Sequence, residues 1–431
     1  MHGNKGGTSM NVKIGKSPFN KGQVRIISSK SDGHRSLIAA ALAEEESVLF
    51  VDGWSEDLEA TVRCLRALGA DIYQEPSGIE VIPVPKNLQG EAVLDCGESG
   101  STLRFLLPVA AALGRQTVFE GHGRLPERPI GILLEELVQH GCTVSGDRLP
   151  VKLEGQLQSG TYTLPGNISS QFITGLLFAL PLLEGDSEIV LTTAVESRGY
   201  INMTLKTLKT FGVEVTETEN GWKIPGGQTY AGPRMRFTEG DWSNAAFWLV
   251  AGAIRGSIGC QGLDMASPQG DRAIVSLLEE FGAETKMVLN QITVTHKEMK
   301  GIRIDASQIP DLVPILCIAG AAAEGKTEIT NAGRLRIKES DRLAAMADCL
   351  KKIGVEVEER EDGLLITGGC NPPEGEIVID SHGDHRIVMA MAIAAVSLGV
   401  DITIEHAEAV NKSYPSFFAE LKKLGGVADV L

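Results

Sequence analysis

Between positions 58 and 73 the apolar residues fall at Leu58, Val62, Leu65 and Leu68, the i, i+4, i+7, i+10 spacing of one helical face. Gly69 follows where a left-handed C-cap is expected, and then comes a short β-like run through Ile72. The pattern returns at Leu134, Leu137 and Val138 before Gly141, and at Leu205 and Leu208 before Gly212. It returns again at Leu277 and Leu278 before Gly282, Cys349 and Leu350 before Gly354, and Leu421 and Leu424 before Gly425. The six glycines stand 72, 71, 70, 72 and 71 residues apart, so six repeats of about 71 residues account for nearly all of the 431.

A second series runs in phase with the first. Alanine-rich, almost wholly apolar runs occupy 35–43, 102–113, 172–183, 244–254, 312–323 and 387–398. A helix that is apolar all round is a buried one. Each run is followed by a short β-branched stretch such as Val48-Leu49-Phe50-Val51 or Thr117-Val118-Phe119. Each repeat therefore predicts a buried helix, a strand, an amphipathic helix and another strand. This is a repeat fold of α/β units longer than the usual solenoid periods.

Composition changes the picture in three places. The net charge of −16 argues against a general nucleic-acid or anionic-membrane surface. Seven cysteines without a C-x-x-C pair read as buried free thiols in a reducing compartment, here the cytoplasm, rather than as disulfides or a metal site. No uncharged apolar run suggests a membrane span, and the Gly-rich, polar residues 1–10 are expected to be a disordered extension.

Candidate chemistry gathers at the helix starts. Ser28-Ser29-Lys30-Ser31-Asp32-Gly33-His34-Arg35 places hydroxyls and two cations before a buried helix, which is an anion site by construction. Capping by Ser31 or Asp32 accounts for the polar residues but not for cations that the helix dipole disfavours. Gly97-Glu98-Ser99-Gly100-Ser101-Thr102-Leu103-Arg104 is a glycine and hydroxyl turn suited to a phosphate or carboxylate. Arg124 and Arg128 bracket a turn before the next helix, with Pro129 expected at its first position. Ser169, Ser170 and Gln171 open the third buried helix, and Ser197 and Arg198 precede the amphipathic helix after it. The starts of the fourth repeat, Gly240-Asp241-Trp242-Ser243-Asn244 and Pro268-Gln269-Gly270-Asp271, carry acids without paired cations and read as structural caps. In the fifth repeat Asp311 either caps its helix or acts chemically. Lys338 and Arg342 in Lys338-Glu339-Ser340-Asp341-Arg342 are expected as i, i+4 neighbours on a helix, a repulsive placement unless an anion lies between them. Asp384-His385-Arg386 precedes the sixth buried helix, with Asp384 placed to cap it, and Lys412 marks the last start.

Phase carries the argument. Lys30, Arg35, Arg104 and Arg386 share one position in the repeat; Arg124, Lys338, Arg342 and Lys412 share the other. Both are the start of a helix after a strand, the end at which α/β proteins bind ligands. An acidic chain has thus collected cations, hydroxyls and helix N-termini at equivalent places, which suits small polyanions carrying phosphate and carboxylate. No P-loop or G-x-G-x-x-G is present to suggest a nucleotide. Asp311 and Glu339, the acids among these cations, can act as general acid and base, with Lys30 close to any proton in flight.

These motifs resemble those of the enolpyruvyl transferase superfamily, in particular its branch acting on shikimate 3-phosphate. They are Ser29-Lys30-Ser31-x-x-x-Arg35, Gly97-x-Ser99-Gly100-x-x-x-Arg104, Arg124-x-x-Glu127-Arg128-Pro129, Ser169-Ser170-Gln171-Phe172, Lys338-Glu339-Ser340-Asp341-Arg342, Asp384-His385-Arg386 and Lys412. The resemblance covers essentially the whole chain. It implies an α/β fold of two domains, each of three βαβαββ units in an inside-out α/β barrel. One domain comprises 1–27 and 239–431 and the other 28–238, with the active site in the cleft between them. It implies transfer of the enolpyruvyl group of phosphoenolpyruvate to the 5-hydroxyl of shikimate 3-phosphate by a monomer, without metal or cofactor. Lys30, Ser31, Arg35, Ser169, Ser170, Gln171, Ser197, Asp311 and Lys338 would hold shikimate 3-phosphate. Lys30, Gly100, Arg124, Gln171, Arg342, Arg386 and Lys412 would hold phosphoenolpyruvate. Asp311, Glu339 and Lys30 would be catalytic, Asp311 taking the proton of the attacking hydroxyl and Glu339 delivering one to the vinyl methylene.

Three positions depart from the family's common pattern. Glu98 stands where asparagine is usual, Arg334 replaces an asparagine that touches shikimate 3-phosphate, and Phe105 follows Arg104 where proline is frequent. Gly100 keeps a small residue beneath phosphoenolpyruvate, so a compact phosphonate analogue such as glyphosate is expected to enter. The sister transferase acting on a UDP-aminosugar usually carries a reactive cysteine in the second repeat, and residues 114–130 contain none. An RNA 3′-phosphate cyclase would be expected to have a basic RNA surface. A non-catalytic anion-binding repeat protein would require neither Asp311 nor Glu339.

Overall fold

Polar caps, rather than the apolar runs themselves, fix where the helices begin. In the computed structural model, which describes residues 9–17, 21–75, 78–86 and 90–431, twelve α-helices follow in order. They are α1 (Lys30–Ala41), α2 (Glu56–Ala67), α3 (Gly100–Ala112), α4 (Gly131–Gln139), α5 (Ser170–Ala179) and α6 (Arg198–Thr210). Then come α7 (Trp242–Ile254), α8 (Ile274–Phe281), α9 (Val313–Ala322), α10 (Arg342–Lys352), α11 (His385–Leu398) and α12 (Phe417–Lys423). Apart from residues 9 and 10, the extension expected over residues 1–10 lies outside the described residues. The odd-numbered helices are the buried series. Side chains of Ser29, Ser99, Ser169, Asp241 and Asp384 accept backbone N–H groups from the first turns of α1, α3, α5, α7 and α11. The polar residues ahead of each apolar run thereby become part of the helix.

The six glycines of the repeat all take positive φ, from 73° at Gly212 to 109° at Gly282, where a side chain would strain the backbone. Each closes an even-numbered helix and turns the chain back as a strand. The strands form six four-stranded sheets. In one, Thr161–Leu164 runs parallel to Ser187–Leu191, which pairs antiparallel with Gly221–Ile224, itself antiparallel to Thr216–Thr218. The parallel pair brackets α5 and the antiparallel hairpin follows α6, giving the βαβαββ order. Tyr162 and Leu164 point inward and are buried, while Thr161 and Thr163 face water.

Two repeats take their first strand from elsewhere in the chain. Met235–Phe237 lies parallel to Ser47–Phe50, and Lys21–Arg25 lies parallel to Ser257–Gln261. Val12–Gly15 inserts between Ile402–Glu405 and Val427–Val430, antiparallel to both. The chain accordingly divides into two compact units. The first holds the described residues through Ile27 with Asp241–Met265 and Asp271–Leu431; the second holds Ser28–Gly240 with Ala266–Gly270. The second crossing falls at Gly240–Asp241 rather than at 238–239. Residues 239 and 240 are held in the second unit by Ser29 N–H to the Glu239 carbonyl, 2.7 Å, and Gln269 Nε2 to the Gly240 carbonyl, 2.9 Å.

Each unit has its own apolar core, built around α7, α9 and α11 in the first and α1, α3 and α5 in the second. The inner helices approach closely: a Cβ at Gly175 of α5 would collide with the Arg104 carbonyl of α3. Among the described residues no helix is long and apolar enough to cross a membrane.

Candidate active site

The second unit carries hydroxyls, an amide and arginines at the starts of its inner helices. Lys30 is the first residue of α1, and its ammonium donates to Asp57 Oδ2 of α2 at 2.6 Å. The Asp57 backbone carbonyl also accepts from Thr102 of α3 at 3.5 Å, so Lys30 is held beside the start of that helix. There Gly100 lies under two guanidinium groups. A Cβ at this position would stand 2.7 Å from Arg128 Nη1 and 2.8 Å from Arg104 Nη1. Arg104 Nη1 donates to Gln171 Oε1 at 2.7 Å, and Gln171 Nε2 donates to Ser101 Oγ at 2.9 Å. Ser169 caps α5 by accepting the Gln171 N–H, 3.2 Å, which fixes the Ser169-Ser170-Gln171 turn against α3. Ser197 precedes α6 in the left-handed conformation, φ 54°, and is buried. Arg124 stays half-exposed, 3.7 Å from Glu127.

Arg35 is bound differently from its neighbours. It is 2% exposed, and its three donating nitrogens reach Thr204 Oγ1 at 2.9 Å, the Ser31 carbonyl at 2.7 Å and the Tyr200 carbonyl at 2.9 Å. Its guanidinium also lies 5.1 Å from the centre of the Phe105 ring. Burial lowers its pKa to about 10, against the opposing pull of Asp32. The Phe105 departure is thus accommodated as an aromatic floor for Arg35, which ties α1 to α6. Behind it, His34 Nδ1 bonds Thr61 Oγ1 at 2.7 Å; burial first, then Lys30 and Arg35, hold this imidazole well below its usual pKa.

In the first unit a single buried arginine gathers the acids. Arg342, 1% exposed, donates from Nε to Asp384 Oδ2 at 2.7 Å, from Nη1 to Asp311 Oδ1 at 2.9 Å and from Nη2 to Glu339 Oε2 at 2.8 Å. Arg386 adds Nη2 to Asp311 Oδ2 at 3.2 Å and Nη1 to the Asp311 carbonyl at 3.0 Å. Asp384 caps α11 through the Arg386 N–H, 2.9 Å, and accepts from Ser340 Oγ at 3.0 Å. Burial pushes the Asp384 carboxyl up, but Arg342 outweighs it and holds the group below the usual carboxylate range. Lys412 donates to the Gly383 carbonyl at 2.9 Å. Lys412, Arg342 and Arg386 are opposed here by Asp311, Glu339 and Asp384.

Several expectations change. Asp311 caps no helix, since no side-chain cap bond is made at Pro310–Leu312 or at α9, and its carboxylate is spent on two arginines instead. Lys338 is not on a helix with Arg342. It ends the 3-10 turn Gly333–Ile337 in extended backbone, and α10 begins at Arg342 under an Asp341 cap. Like-charge repulsion along a helix therefore plays no part. The cap of α1 is Ser29, not Ser31 or Asp32. Pro129 precedes α4 by two residues, because a separate 3-10 turn, Leu125–Glu127, takes up the arginine-bearing segment. Arg334, the second departure, turns its guanidinium onto the Ser307 carbonyl at 2.9 Å. Glu98 lies beside Gly123, where an added Cβ would meet its carboxyl carbon at 2.5 Å, and 3.7 Å from His122. Asp57 and Arg128 were not singled out as site residues. Each meets its partner, Lys30 or Gly100, across the two helix starts of one repeat, a tertiary contact that spacing does not reveal.

Two inner triplets of helices, each presenting polar first turns under a shell of βαβαββ sheets, define an enolpyruvyl-transferase-type fold. A solved EPSP synthase from Acinetobacter baumannii matches with a TM-score of 0.80 at 27% identity, covering 98% of this chain and 100% of that one. The enolpyruvyl transferase NikO from Streptomyces tendae shares the fold, TM-score 0.79 at 16% identity over 98% of this chain and 99% of that one. The profile of the EPSP synthase (3-phosphoshikimate 1-carboxyvinyltransferase) family matches residues 16–421. A 3-phosphoshikimate 1-carboxyvinyltransferase from Clostridium acetobutylicum is 45% identical over 415 residues, 94% of this chain and 95% of the relative. One from Clostridium novyi is 42% identical over 430 residues, 97% and 98% of the two chains. The chain belongs to the EPSP synthase family.

Proposed function

We propose that the chain is a transferase that moves the enolpyruvyl group of phosphoenolpyruvate to the 5-hydroxyl of shikimate 3-phosphate, in the shikimate pathway to aromatic amino acids. The observation that carries the site assignment is the Arg342 fork, which holds Asp311, Glu339 and Asp384 at 2.7–2.9 Å on one buried cation. Lys30, Ser31, Ser169, Ser170, Gln171, Ser197 and Lys338 bind shikimate 3-phosphate. Arg35 serves that site by locking α1 to α6 beneath Ser31. Gly100, Arg124, Arg342, Arg386 and Lys412, with Lys30 and Gln171, bind phosphoenolpyruvate. Its anionic groups compete for the arginines that Asp311 and Glu339 occupy here, so binding releases both carboxyl groups from their cations.

Chemistry then follows in two steps. The 5-hydroxyl oxygen bonds to C2 of phosphoenolpyruvate, Asp311 takes the hydroxyl proton, and C3 receives a proton from Glu339. Glu339, now ionised, takes a proton back from the new methyl group as the C2–O bond to phosphate breaks, which restores the vinyl group, and the proton held by Asp311 leaves with inorganic phosphate. Cations placed where the adduct carries its charge stabilise it more than water would. Seven free cysteines, six of them buried, support a reducing, cytoplasmic setting. The enzyme acts as a monomer on these two small molecules, without nucleic acid or membrane. The test is phosphate release from phosphoenolpyruvate with shikimate 3-phosphate or a UDP-aminosugar as acceptor. Release with the first alone supports this reading; release with the second alone overturns it.

Gly100→Ala is expected to leave the fold intact and raise KM for phosphoenolpyruvate about tenfold. The added methyl forces Arg104 and Arg128 aside at an overpacking cost of roughly 1–3 kcal/mol. Glyphosate inhibition, measured at limiting phosphoenolpyruvate, should weaken with it. An unchanged KM would show that the two guanidinium groups adjust freely.

A further inference from the structure

Asp271 is a buried acid that the reaction above does not use. It lies in the short turn Gly270–Ala273 ahead of α8 and is 3% exposed. Its carboxylate accepts a short hydrogen bond from Ser243 in the first turn of α7. Among the described residues no lysine, arginine or histidine nitrogen forms an ion pair with it. Asp311, by contrast, is paired with two arginines at 2.9 and 3.2 Å. The charged groups acting on Asp271 are Asp311 from the turn ahead of α9, Arg386 from the start of α11 and Asp241 from the cap of α7. Two of the three are acids.

A buried carboxylate without a paired cation keeps its proton, because the ionised form loses hydration and gains nothing comparable. When two carboxyl groups interact, the one with better cation partners ionises first. Asp311 has those partners. Burial, and next the negative charge of Asp311, raise the Asp271 pKa to about 7, while Arg386 and the Ser243 hydroxyl pull the other way.

We propose that Asp271 is a positioning residue acting through Asp311 and Arg386. Protonated, it adds no charge to the carboxylates already set around Arg386 and leaves that arginine available to phosphoenolpyruvate. Ionised, it adds a further negative charge to that cluster, which strengthens the pull on Arg386 and disfavours the anionic substrate. Asp271 thereby sets the alkaline limit of phosphoenolpyruvate binding. This rests on the functional reading above.

The experiment compares wild type, Asp271→Asn and Ser243→Ala from pH 5.5 to 9, by steady-state kinetics and by thermal unfolding. In wild type, KM for phosphoenolpyruvate should rise on the order of tenfold above neutrality, the effect of about one pK unit of unfavourable interaction. In Asp271→Asn that rise should disappear, with kcat at pH 6 within about twofold of wild type, since the amide mimics the neutral acid. The substrate's own ionisation is common to both proteins and drops out of the comparison. Ser243→Ala removes a donor to the carboxylate, so its inflection should move to higher pH.

Unfolding supplies a readout independent of turnover. Asp271 binds its proton more tightly folded than unfolded, so its contribution to stability is complete below pH 4 and is lost as pH rises through about 7. Asp271→Asn should therefore lose less melting temperature than wild type between pH 5.5 and 8.5. An inflection that survives in Asp271→Asn would overturn the proposal. So would a uniform loss of activity at every pH with an unaltered pH dependence of unfolding. If no acceptor supports phosphate release even in wild type, the functional reading fails, and the unfolding comparison still decides whether Asp271 carries the proton.

Discussion

Asp311→Ala should lower kcat by roughly 10²–10⁴-fold, the range for removing a positioned general base, without raising KM for phosphoenolpyruvate. The two parts of this expectation come from different contacts. As a base, Asp311 is needed only when the 5-hydroxyl loses its proton. As a counter-ion, it occupies Arg342 at 2.9 Å and Arg386 at 3.2 Å, the cations assigned to phosphoenolpyruvate. Deleting it removes a competitor, so KM should stay level or fall. Steady-state kinetics with phosphate detection separates the two. A raised KM with kcat intact would make Asp311 a substrate ligand and move the base elsewhere.

Arg342→Met should damage both stability and binding. The side chain is 1% exposed and neutralises three carboxylates, one of them, Asp384, fully buried. Removing one partner of a buried ion pair costs about 3–5 kcal/mol, because the remaining charge is stranded. Asp384, held below the ordinary carboxylate range by Arg342, should then take up a proton at higher pH. Wild type owes part of its stability to the ionised Asp384, and that part is lost only as pH falls through its depressed pKa. In Arg342→Met the sign reverses: burial without the cation raises the Asp384 pKa, so stability is lost as pH rises rather than as it falls. Urea unfolding at pH 5 and pH 8 tests this: the deficit relative to wild type should be larger at pH 8, where the stranded carboxylates are charged. An equal deficit at both pH values would mean that lost packing, not stranded charge, destabilises the variant.

How much of this was readable from sequence depended on how local the cause was. The six repeats were legible because each glycine at a helix end meets a local demand, a positive φ that other residues resist. Buried helices were legible because burial on all sides removes polar residues from every face, as in α9 and α11. The cation-bearing starts could be located, but the partners of those cations could not. Arg35 finds Thr204, 169 residues away, and Arg342 finds Asp384, 42 residues away. Such pairings are tertiary choices that no periodicity encodes. Lys338 falls outside the helix because Asp341 is the N-cap of α10, so the helix begins only at Arg342 and the residues before it stay extended or turned. In the fourth repeat Asp241 caps α7 as its sequence indicates, whereas Asp271 caps nothing, since α8 begins without a side-chain cap. Asp271 is buried by elements that sequence does not bring to it.

Strand borrowing between distant parts of the chain sets an order on biosynthesis. The second unit pairs Ser47–Phe50 with Met235–Phe237, so all of its sheets can exist once that segment has left the ribosome. The first unit cannot follow so early. Val12–Gly15, among the first described residues made, belongs to a sheet whose other members are Ile377–Asp380, Ile402–Glu405 and Val427–Val430. That strand waits through almost the whole of translation with its backbone N–H and C=O groups unpaired. The second unit can therefore mature first, and Val12–Gly15 is among the last described strands to be secured.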